Sequence, residues 1–451
     1  MPRRRLRVTG RPPASSRIPR GVRTVRTVPW PDYGEIMSIT SRRGWRLLGP
    51  AFVAAIAYVD PGNVAANLTA GARFGYLLVW VLVLANLMAV LVQHLSARLG
   101  VVTGASLTEL LGRRLRPVPR RLFWAQAELI AAATDLAEVI GGAIALHLLF
   151  GLPLVWGGLI VGIVSMLLLG IQSRHGQRPF QHVIMGLLLI ITIGFTAGLF
   201  AAPPDWSATA AGLIPRFEGA DSVLLGASML GATVMPHAIY LHSRLSVDHA
   251  GADADAAEPG SEQAEARRRA LLRASRWDVV FALVIAGSVN IAMLLLAAGN
   301  LQGVPGTDSI EGAHAAVTAA LGPGIGVVFA VGLLVSGLAS TAVGCYAGAD
   351  IMAGLLQLRI PLLARRVITL VPALAILAAG WDPTRALVLS QVALSLGIPF
   401  ALIPLVRCTA DRTLMGEHAN PRWMTILAWA ATTAIIALNA ALVWLTAVGL
   451  A

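Results

Sequence analysis

The chain has 451 residues, of which 56% are hydrophobic and 13% are charged, and its mean hydropathy is +0.72. No soluble domain needs that much apolar surface, so the composition excludes a soluble globular protein and predicts an all-α polytopic membrane protein. The formal net charge is +12. Its basic residues, all of them arginine, lie in the gaps between apolar stretches, and this distribution argues against a nucleic-acid-binding protein.

The first 46 residues are polar, contain proline and carry twelve arginines, a composition typical of a disordered basic arm on the cytoplasmic side. Beyond this arm, apolar stretches long enough to cross a bilayer, which takes ~20 residues, recur to the end of the chain. The sequence predicts eleven spans, at residues 47–70, 76–98, 123–150, 152–172, 181–202, 222–243, 277–300, 324–357, 366–381, 385–407 and 423–449.

The placement of arginine predicts how the chain is oriented in the cytoplasmic membrane. With a cytoplasmic N-terminus, all but three of the 35 arginines fall inside, the exceptions being Arg73, Arg216 and Arg385. Because loops rich in arginine stay on the cytoplasmic side, the sequence predicts an inside N-terminus and an outside C-terminus. The acidic segment 248–265, rich in alanine and glycine, then reads as a mobile cytoplasmic insertion.

Two spans are interrupted near their middles, the first at DPGN and the sixth at ATVMPHA. Each opens a block of five spans, residues 47–202 and 222–407, with the span 423–449 outside both. Five is an odd number, so the second block enters the membrane from the opposite side. Inverted repeats with discontinuous first helices are typical of LeuT-type transporters, whose site lies at the two breaks. The predicted fold is therefore a LeuT-type 5+5 inverted repeat with eleven transmembrane helices.

The first break offers oxygen donors for a cation. Asp60 supplies a carboxylate, Asn63 supplies a neutral amide oxygen, and the Pro-Gly step frees backbone carbonyls such as that of Ala57. The second break frees the carbonyl of Ala232 and presents the thioether of Met235. Oxygen ligands with one sulfur suit Mn²⁺, Fe²⁺ or Cd²⁺ better than Ca²⁺ or Mg²⁺. An apolar methionine also serves packing, so both readings of its role stay open.

Three acidic residues, Glu128, Asp135 and Glu138, lie in the third span, and the last two share one helix face because they are three residues apart. Intramembrane carboxylates facing a bundle are candidates for a proton relay, and a buried hydrogen-bonded network is the alternative. His237 adjoins the second break and is a candidate proton carrier, whereas His242 lies nearer the cytoplasmic end.

Asn290 and Gln391 are polar residues in apolar surroundings, and each is either a further ion ligand or a source of interhelical hydrogen bonds. Walker A, HExxH, GxSxG and CxxC motifs are absent from the sequence, so neither ATP-driven transport nor hydrolytic catalysis is expected, and the protein is not predicted to be an enzyme. Two other functions remain open on these residues alone. One is a LeuT-type Na⁺-coupled carrier of an organic substrate, and the other is a metal-conducting channel or a metal-sensing receptor.

Several longer motifs carry a resemblance to a known family. From Gly49 to about Arg422 the chain resembles the NRAMP family (natural resistance-associated macrophage proteins), in particular its bacterial manganese transporters. The combination of DPGN and MPH on two spans is specific. The motifs that carry the resemblance are GPAFVAAIAYVDPGN, ATDLAEVIGGAIAL, GATVMPHAIYLHS, VNIAMLLLAA, SGLASTAVGCYAG and LSQVALSLGIPFALIPL.

The resemblance implies a LeuT-type fold and proton-coupled uptake of Mn²⁺, and also of Fe²⁺, Cd²⁺ and Co²⁺, by alternating access. The metal is then the substrate and H⁺ the coupling ion; no cofactor, nucleic acid or obligate protein partner is implied beyond the lipid bilayer. The implied metal ligands are Asp60, Asn63, Met235 and the carbonyl of Ala232, joined in some states by the carbonyl of Ala57 and by Gln391. The implied proton pathway contains Asp60, His237, Asp135 and Glu138, with Arg365 or Arg366 at its far end.

The sequence departs from the family pattern at four positions. Ala238, Gln181, Leu338 and Ala353 replace residues that are polar or acidic in many relatives. None of the four is an implied metal ligand, so the departures bear on gating contacts and on proton coupling.

Overall fold

The computed structural model of the protein describes residues 49–175, 177–251, 261–307, 309–358 and 361–448. The predicted basic arm, residues 1–46, and the middle of the predicted insertion lie outside the described residues. Every regular element in the described part of the chain is a helix. The helices are α1 (Pro50–Ile56), α2 (Pro61–Phe74), α3 (Val79–Thr103), α4 (Leu107–Arg114), α5 (Pro117–Phe150), α6 (Leu154–His175), α7 (Gln177–Ala201), α8 (Trp206–Ala211), α9 (Gly219–Thr233), α10 (Pro236–Gly251), α11 (Glu262–Asn300), α12 (Ile310–Leu321), α13 (Pro323–Leu356), α14 (Leu362–Ala378), α15 (Pro383–Ala410), α16 (Arg412–Met415) and α17 (Arg422–Ala447).

The described residues contain eight helical stretches that are long and apolar enough to cross a membrane. Two apolar stretches, Pro50–Val59 and Leu154–Leu168, are shorter, and α14 has only 17 residues. Each of the eleven predicted spans overlaps at least one helix. The number that cross the bilayer nevertheless stays a prediction, because length and composition support eight.

The first interruption separates α1 from α2. After Ile56 the chain makes one 3₁₀ turn, Ala57–Val59, and then becomes extended at Asp60, with φ −86° and ψ 169°. Pro61 occupies the first position of α2, where its missing N–H is no loss. The Asp60 side chain caps the new helix by accepting a hydrogen bond from the backbone N–H of Asn63.

The second interruption separates α9 from α10. α9 ends at Thr233, Val234 leaves the helical region with φ −104° and ψ 72°, and α10 begins at Pro236. Proline cannot continue a helix because it has no N–H to donate, so Met235 lies in the gap between two half-helices. Both discontinuities expected of the LeuT-type fold are therefore present.

The helix α15 packs against both interruptions at one residue, Gln391. A Cβ atom added to Gly62 on α2 would lie 1.8 Å from Gln391 Nε2. A Cβ atom added to Gly231 on α9 would lie 1.9 Å from the Gln391 carbonyl oxygen. Real Cβ atoms do not approach so closely, so glycine at these two positions is what allows the three helices to meet.

The helices α5 and α13 pack against each other along much of their length and pass beside the first interruption. The close approach of α5 depends on Gly141, whose added Cβ would lie 2.0 Å from Pro61 Cβ. The acidic face of α5 is thereby brought beside the start of α2 and against α13.

Candidate metal centre

Asp60 and Asn63 form a compact polar pair at the start of α2. Asp60 Oδ1 accepts hydrogen bonds from the Asn63 backbone N–H at 2.7 Å and from Asn63 Nδ2 at 3.0 Å. Gln391 Nε2 lies 3.5 Å from the second oxygen, Asp60 Oδ2. All three residues are fully buried. A carboxylate is thus held in the protein interior by neutral donors.

The amide of Asn63 also joins the two interruptions. Its Nδ2 donates to the carbonyl oxygen of Ala232, in the last turn of α9, at 2.8 Å. The carbonyl oxygens of the side chains of Asn63 and Gln391 are buried and accept no hydrogen bond from the described residues. Buried acceptors without a donor are costly, and oxygens of this kind are ligands for a cation. The two amide oxygens therefore lie beside the carboxylate as available cation ligands.

Met235 and Ala57 are the other two ligands predicted at the interruptions. Met235 is fully buried in the gap between α9 and α10, three residues after Ala232. Ala57 begins the 3₁₀ turn that ends just before Asp60, and its backbone N–H bonds to the carbonyls of Ala54 and Ala55.

One negative charge accompanies these donors. No group of three or more His, Cys, Asp or Glu side chains in the described ranges is arranged to hold a metal ion. A site with one carboxylate and several neutral donors leaves a divalent ion partly unneutralised. Such a site suits an ion that must be released again better than one that is retained for structure.

Asn290 lies beside the first interruption and holds its backbone. Its Nδ2 donates to the carbonyl of Tyr58 at 2.6 Å, and its Oδ1 accepts from Asn67 Nδ2 at 3.0 Å. The next carbonyl, that of Val59, accepts from the hydroxyl of Ser336. These side chains replace the helical donors that the break removes, so the structure places Asn290 in an interhelical hydrogen-bond network.

Asp135 and Glu138 on α5 point to the same side of the helix, as their spacing predicts. A Cβ atom added to Gly344 on α13 would lie 3.2 Å from Glu138 Oε1 and 3.5 Å from Asp135 Oδ1. Glu138 Oε1 accepts from the Ser340 hydroxyl at 2.6 Å, and Asp135 Oδ1 lies 3.5 Å from the guanidinium of Arg366. One oxygen of each carboxylate has no hydrogen-bond partner among the described residues.

The two arginines at the start of α14 reach different acids. Arg366 is fully buried and also donates from Nε to Ser165 Oγ at 2.8 Å. Arg365 forms an ion pair with Glu128, ten residues before Glu138 on α5. Ten residues of helix span ~15 Å, so the ionisable groups form a line along α5 from the first interruption towards its N-terminal end.

His237 and His242, two of the three histidines of α10, have separate surroundings. His237 Nδ1 lies 3.4 Å from Thr134 Oγ1, which brings the ring next to Asp135. His242 Nδ1 lies 2.7 Å from Gln93 Oε1, and Gln93 Nε2 donates to the hydroxyl of Tyr58. His242 therefore connects α10 to α3 and to the first interruption through Gln93.

Sequence reasoning missed several of these partners. Gln93 is, with Asn86, one of two amides in the apolar span 76–98, a signal that resembles the one given by Gln391 and could have identified it. Ser336 and Ser340 are small hydroxyl residues on one face of α13 and carry no comparable local signal. Their importance arises only from the packing of α13 on α5.

A cavity of about 730 Å³ lies between the C-terminal end of α2 and the N-terminal ends of α9 and α15. Charged residues that line it include Arg73, Asp221 and Asp382, and apolar ones include Val388 and Val392. Arg73 and Asp221 form an ion pair with each other. Val392 directly follows Gln391, so this cavity, here called the vestibule, comes within one residue of the side chain that contacts Asp60.

Comparison with known proteins identifies the architecture. The family model described as "Natural resistance-associated macrophage protein-like" matches residues 51–445. The divalent metal cation transporter MntH of Mycobacterium tuberculosis is 58% identical over 408 residues, which cover 90% of this chain and 93% of that protein. The crystal structure of the Eremococcus coleocola manganese transporter aligns with a TM-score of 0.77 and 30% identity, covering 88% of this chain and 86% of that one.

A more distant structure, that of MhsT in complex with L-phenylalanine, aligns with a TM-score of 0.57 at 13% identity, covering 87% of this chain and 98% of that one. At that identity the likeness concerns the fold alone. The predicted LeuT-type class is confirmed, apart from the number of spans. Because the family model covers almost all of the described residues and the relative extends over nine-tenths of the sequence, this chain belongs to the Nramp family.

Proposed function

We propose that this protein takes up divalent transition metal ions, Mn²⁺ foremost and also Fe²⁺, Cd²⁺ and Co²⁺, by proton-coupled alternating access. The observation that carries the proposal is the Asp60–Asn63–Ala232 bridge, which joins the two interrupted helices beside two unpartnered amide oxygens. The names of the related transporters in Mycobacterium tuberculosis and Eremococcus coleocola support the same substrate class.

The proposed ligands are Asp60, Asn63, Met235 and the carbonyl of Ala232, with Gln391 and the carbonyl of Ala57 joining in part of the cycle. Asn63 turns its amide oxygen to the ion by rotation about its last side-chain torsion, which releases Asp60 and Ala232 to coordinate. The thioether of Met235 favours softer ions over Ca²⁺ and Mg²⁺, which gain little from sulfur.

The vestibule between α2, α9 and α15 is the proposed entrance. Its charged lining residues lie on the outer side if the N-terminus is cytoplasmic, as the arginine distribution favours. In that orientation residues 47–202 and 222–407 are the two inverted repeats of a protein in the cytoplasmic membrane. Inward movement of net positive charge is then favoured by ~2.3 kcal/mol per charge per 100 mV.

The line of ionisable groups on α5 is the proposed proton route. A metal ion displaces the proton of Asp60, because the carboxylate is the ligand form. His237 and the Asp135–Glu138 face, with Arg366 beside Asp135, receive the proton, and Glu128 with Arg365 forms the cytoplasmic end. The unpartnered oxygens of Asp135 and Glu138 support this assignment, since each is free to accept a proton.

Two other functions make different predictions. A protein that binds an organic molecule can share this fold, as the structure of MhsT in complex with L-phenylalanine shows, because fold alone does not set function. A Na⁺-coupled carrier of an organic substrate would require Na⁺ and would bind an organic molecule at the breaks. A channel would conduct metal without saturation and without moving protons.

The test is Mn²⁺ uptake into proteoliposomes under an imposed pH gradient, with internal pH followed at the same time. We expect saturable uptake with proton entry that is abolished by Asp60→Ala. Met235→Ala should retain uptake but admit Ca²⁺. The matched control is Met229→Ala, since Met229 is equally buried on α9 but lies within the helix. Uptake that survives Asp60→Ala would refute the site, and Na⁺-dependent uptake of an organic substrate would favour the alternative carrier.

A further inference from the structure

A cluster of charged side chains lies in the C-terminal half of α10 and is not used by the proposed transport chemistry. Arg244 NH1 lies 2.8 Å from Glu109 Oε1 on α4, and Arg244 NH2 lies 2.9 Å from Asp248 Oδ1 on its own helix. Asp248 Oδ2 accepts from the hydroxyl of Tyr346 on α13 at 2.8 Å. A single arginine is therefore the centre of a chain of contacts from α4 through α10 to α13.

The partners of α10 in this cluster are fixed to one another independently of Arg244. Asp350 on α13 accepts from Thr108 Oγ1 at 2.7 Å and from Ser106 Oγ at 3.4 Å, which ties α13 to the start of α4. A Cβ atom added to Gly112 on α4 would lie 2.1 Å from the carbonyl oxygen of Gly354, so the two helices are also closely packed. α4 and α13 thus form a common platform.

Glu109 is held in place on this platform. Its Oε2 accepts from the Ser106 backbone N–H at 3.2 Å while the Ser106 hydroxyl accepts from the Glu109 backbone N–H at 3.3 Å, a reciprocal cap at the start of α4. The other carboxylate oxygen remains for Arg244. A backbone bond adds to the contact, because the Leu107 N–H donates to Ser243 Oγ at 3.0 Å.

The helix α10 is one of the two half-helices that enclose the metal centre on the proposed cytoplasmic side. It begins directly after Met235, carries His237 and packs against the other half-helix, α1. An ion at the interruptions leaves towards the cytoplasm only if α10 or α1 moves away from its neighbours. Movement of α10 relative to the platform would break the Arg244–Glu109 and Tyr346–Asp248 contacts.

We propose that Arg244 is a positioning residue that holds the inner side of the transporter closed, through Glu109 and through the Asp248–Tyr346 contact. Its side chain is 32% exposed, with Glu109 at 29% and Asp248 at 23%, so the contacts are only partly screened by water. The proposal rests on the proposed transport function and orientation, since these define which side is inner.

The test measures opening directly and does not require transport. In a protein whose two cysteines are replaced (Cys345→Ser, Cys408→Ser), a reporter is introduced by Ala54→Cys on α1, where the native side chain is 1% exposed. Its rate of reaction with a thiol reagent reports how often the inner side opens. We expect Arg244→Ala to raise this rate about fivefold to tenfold, because loss of an ion-pair contact shifts the closed-to-open equilibrium.

Two further variants distinguish loss of the proposed Arg244 contacts from a general loss of structure. Tyr346→Phe removes one hydroxyl and should raise the rate by a smaller factor, about twofold. Exchange of the charges, Arg244→Glu with Glu109→Arg, should lower the rate below that of Arg244→Glu alone. The recovery should be partial, because the exchange also removes the Asp248 ion pair and the Glu109 cap. The control is Arg269→Ala, whose carboxylate partner Glu265 lies on the same helix, α11, and should leave the rate unchanged.

Manganese uptake supplies a second readout. Weakening of the inner closure should also raise the external Mn²⁺ concentration needed for half-maximal uptake, by a smaller factor than the labelling rate, because the outward-facing population falls only by as much as the inward-open population grows. If the reporter cysteine reacts at the parent rate in both the Arg244→Ala and the Tyr346→Phe variants, the proposed role of Arg244 is wrong. If the parent does not transport Mn²⁺, the proposed function is wrong, while the labelling rates still decide the role of Arg244.

Discussion

Both interruptions have a proline at the start of their second half-helix, but they differ in the side chains that bond their backbone. The second receives a bond from Asn63 at the Ala232 carbonyl, whereas the first is bonded from two other helices. Asp60 caps α2, and Asn290 and Ser336 bond the carbonyls of Tyr58 and Val59. At the second interruption, Thr233 Oγ1 instead bonds the carbonyl of Met229 in its own helix at 2.7 Å. The first interruption thus carries the carboxylate and the amide of Asn63, whereas the second carries the Ala232 carbonyl and the Met235 thioether.

The difference indicates separate roles for the two interruptions. A charge in an apolar interior needs fixed hydrogen-bond donors, so the first interruption is built as a rigid polar site. Neutral donors need no such support, so the second can change its backbone at lower cost. We therefore expect side-chain substitutions to lower stability and uptake strongly at the first interruption and weakly at the second. The exception is a position where the packing leaves no space for a larger side chain.

The largest effect on stability is expected for Gly231→Ala at the second interruption. The new Cβ would meet the backbone oxygen of Gln391, which cannot rotate away, so α9 and α15 must separate. Overpacking of this kind costs about 3 kcal/mol. The thermal unfolding midpoint in detergent should fall clearly, and Mn²⁺ uptake should be lost. Gly186→Ala is the control, because an added Cβ there meets nothing within 4 Å; equal midpoints for the two variants would contradict the close packing.

Asn290→Ala should have the next largest effect, and it tests the first interruption. It leaves the Tyr58 carbonyl and the Asn67 amide without partners in the interior, at about 2 kcal/mol. We expect a lower unfolding midpoint together with a fall in uptake of about tenfold. Asn300→Ala serves as the comparison, since Asn300 bonds only a carbonyl of its own helix at 2.9 Å. Equal unfolding midpoints and equal uptake in the two asparagine variants would mean that the first interruption needs no support from side chains.

Gly62→Ala should disturb the site more than the stability. Here the new Cβ meets the side-chain end of Gln391, which can move, so the cost is about 1 kcal/mol. Displacement of Gln391 away from Asp60 should weaken Mn²⁺ binding measured by calorimetry, while the unfolding midpoint changes little. A large fall in the unfolding midpoint with unchanged Mn²⁺ binding would show that Gln391 contributes to packing and does not bind the ion.

The smallest effect is expected for Thr233→Val at the second interruption. The hydroxyl bonds a carbonyl that is already part of α9, and valine has nearly the same shape, so stability should change by less than about 0.5 kcal/mol. Uptake and unfolding midpoint should both match those of the parent. An effect as large as that of Asn290→Ala would remove the contrast between the two interruptions.

Much of the fold could be predicted because its signals are local. Pro61 and Pro236 mark the two interruptions in the sequence itself, and the spacing of Asp135 and Glu138 sets their common face. The partners of these residues could not be predicted in this way. The Asn290–Tyr58 contact joins residues 232 positions apart, and nothing near either residue specifies the other. The same limit applies to Arg244 and Glu109, which lie 135 positions apart.

The meeting of Gly62, Gly231 and Gln391 has a consequence for how the sequence can vary. The three positions lie on three different helices, yet the space available at each glycine is set by one residue on α15. A shorter residue at position 391 would relieve the contact of its side chain with position 62 but not the contact of its backbone with position 231. Over evolution, position 62 can therefore exchange size with position 391, whereas position 231 can accept a side chain only if α15 itself moves away.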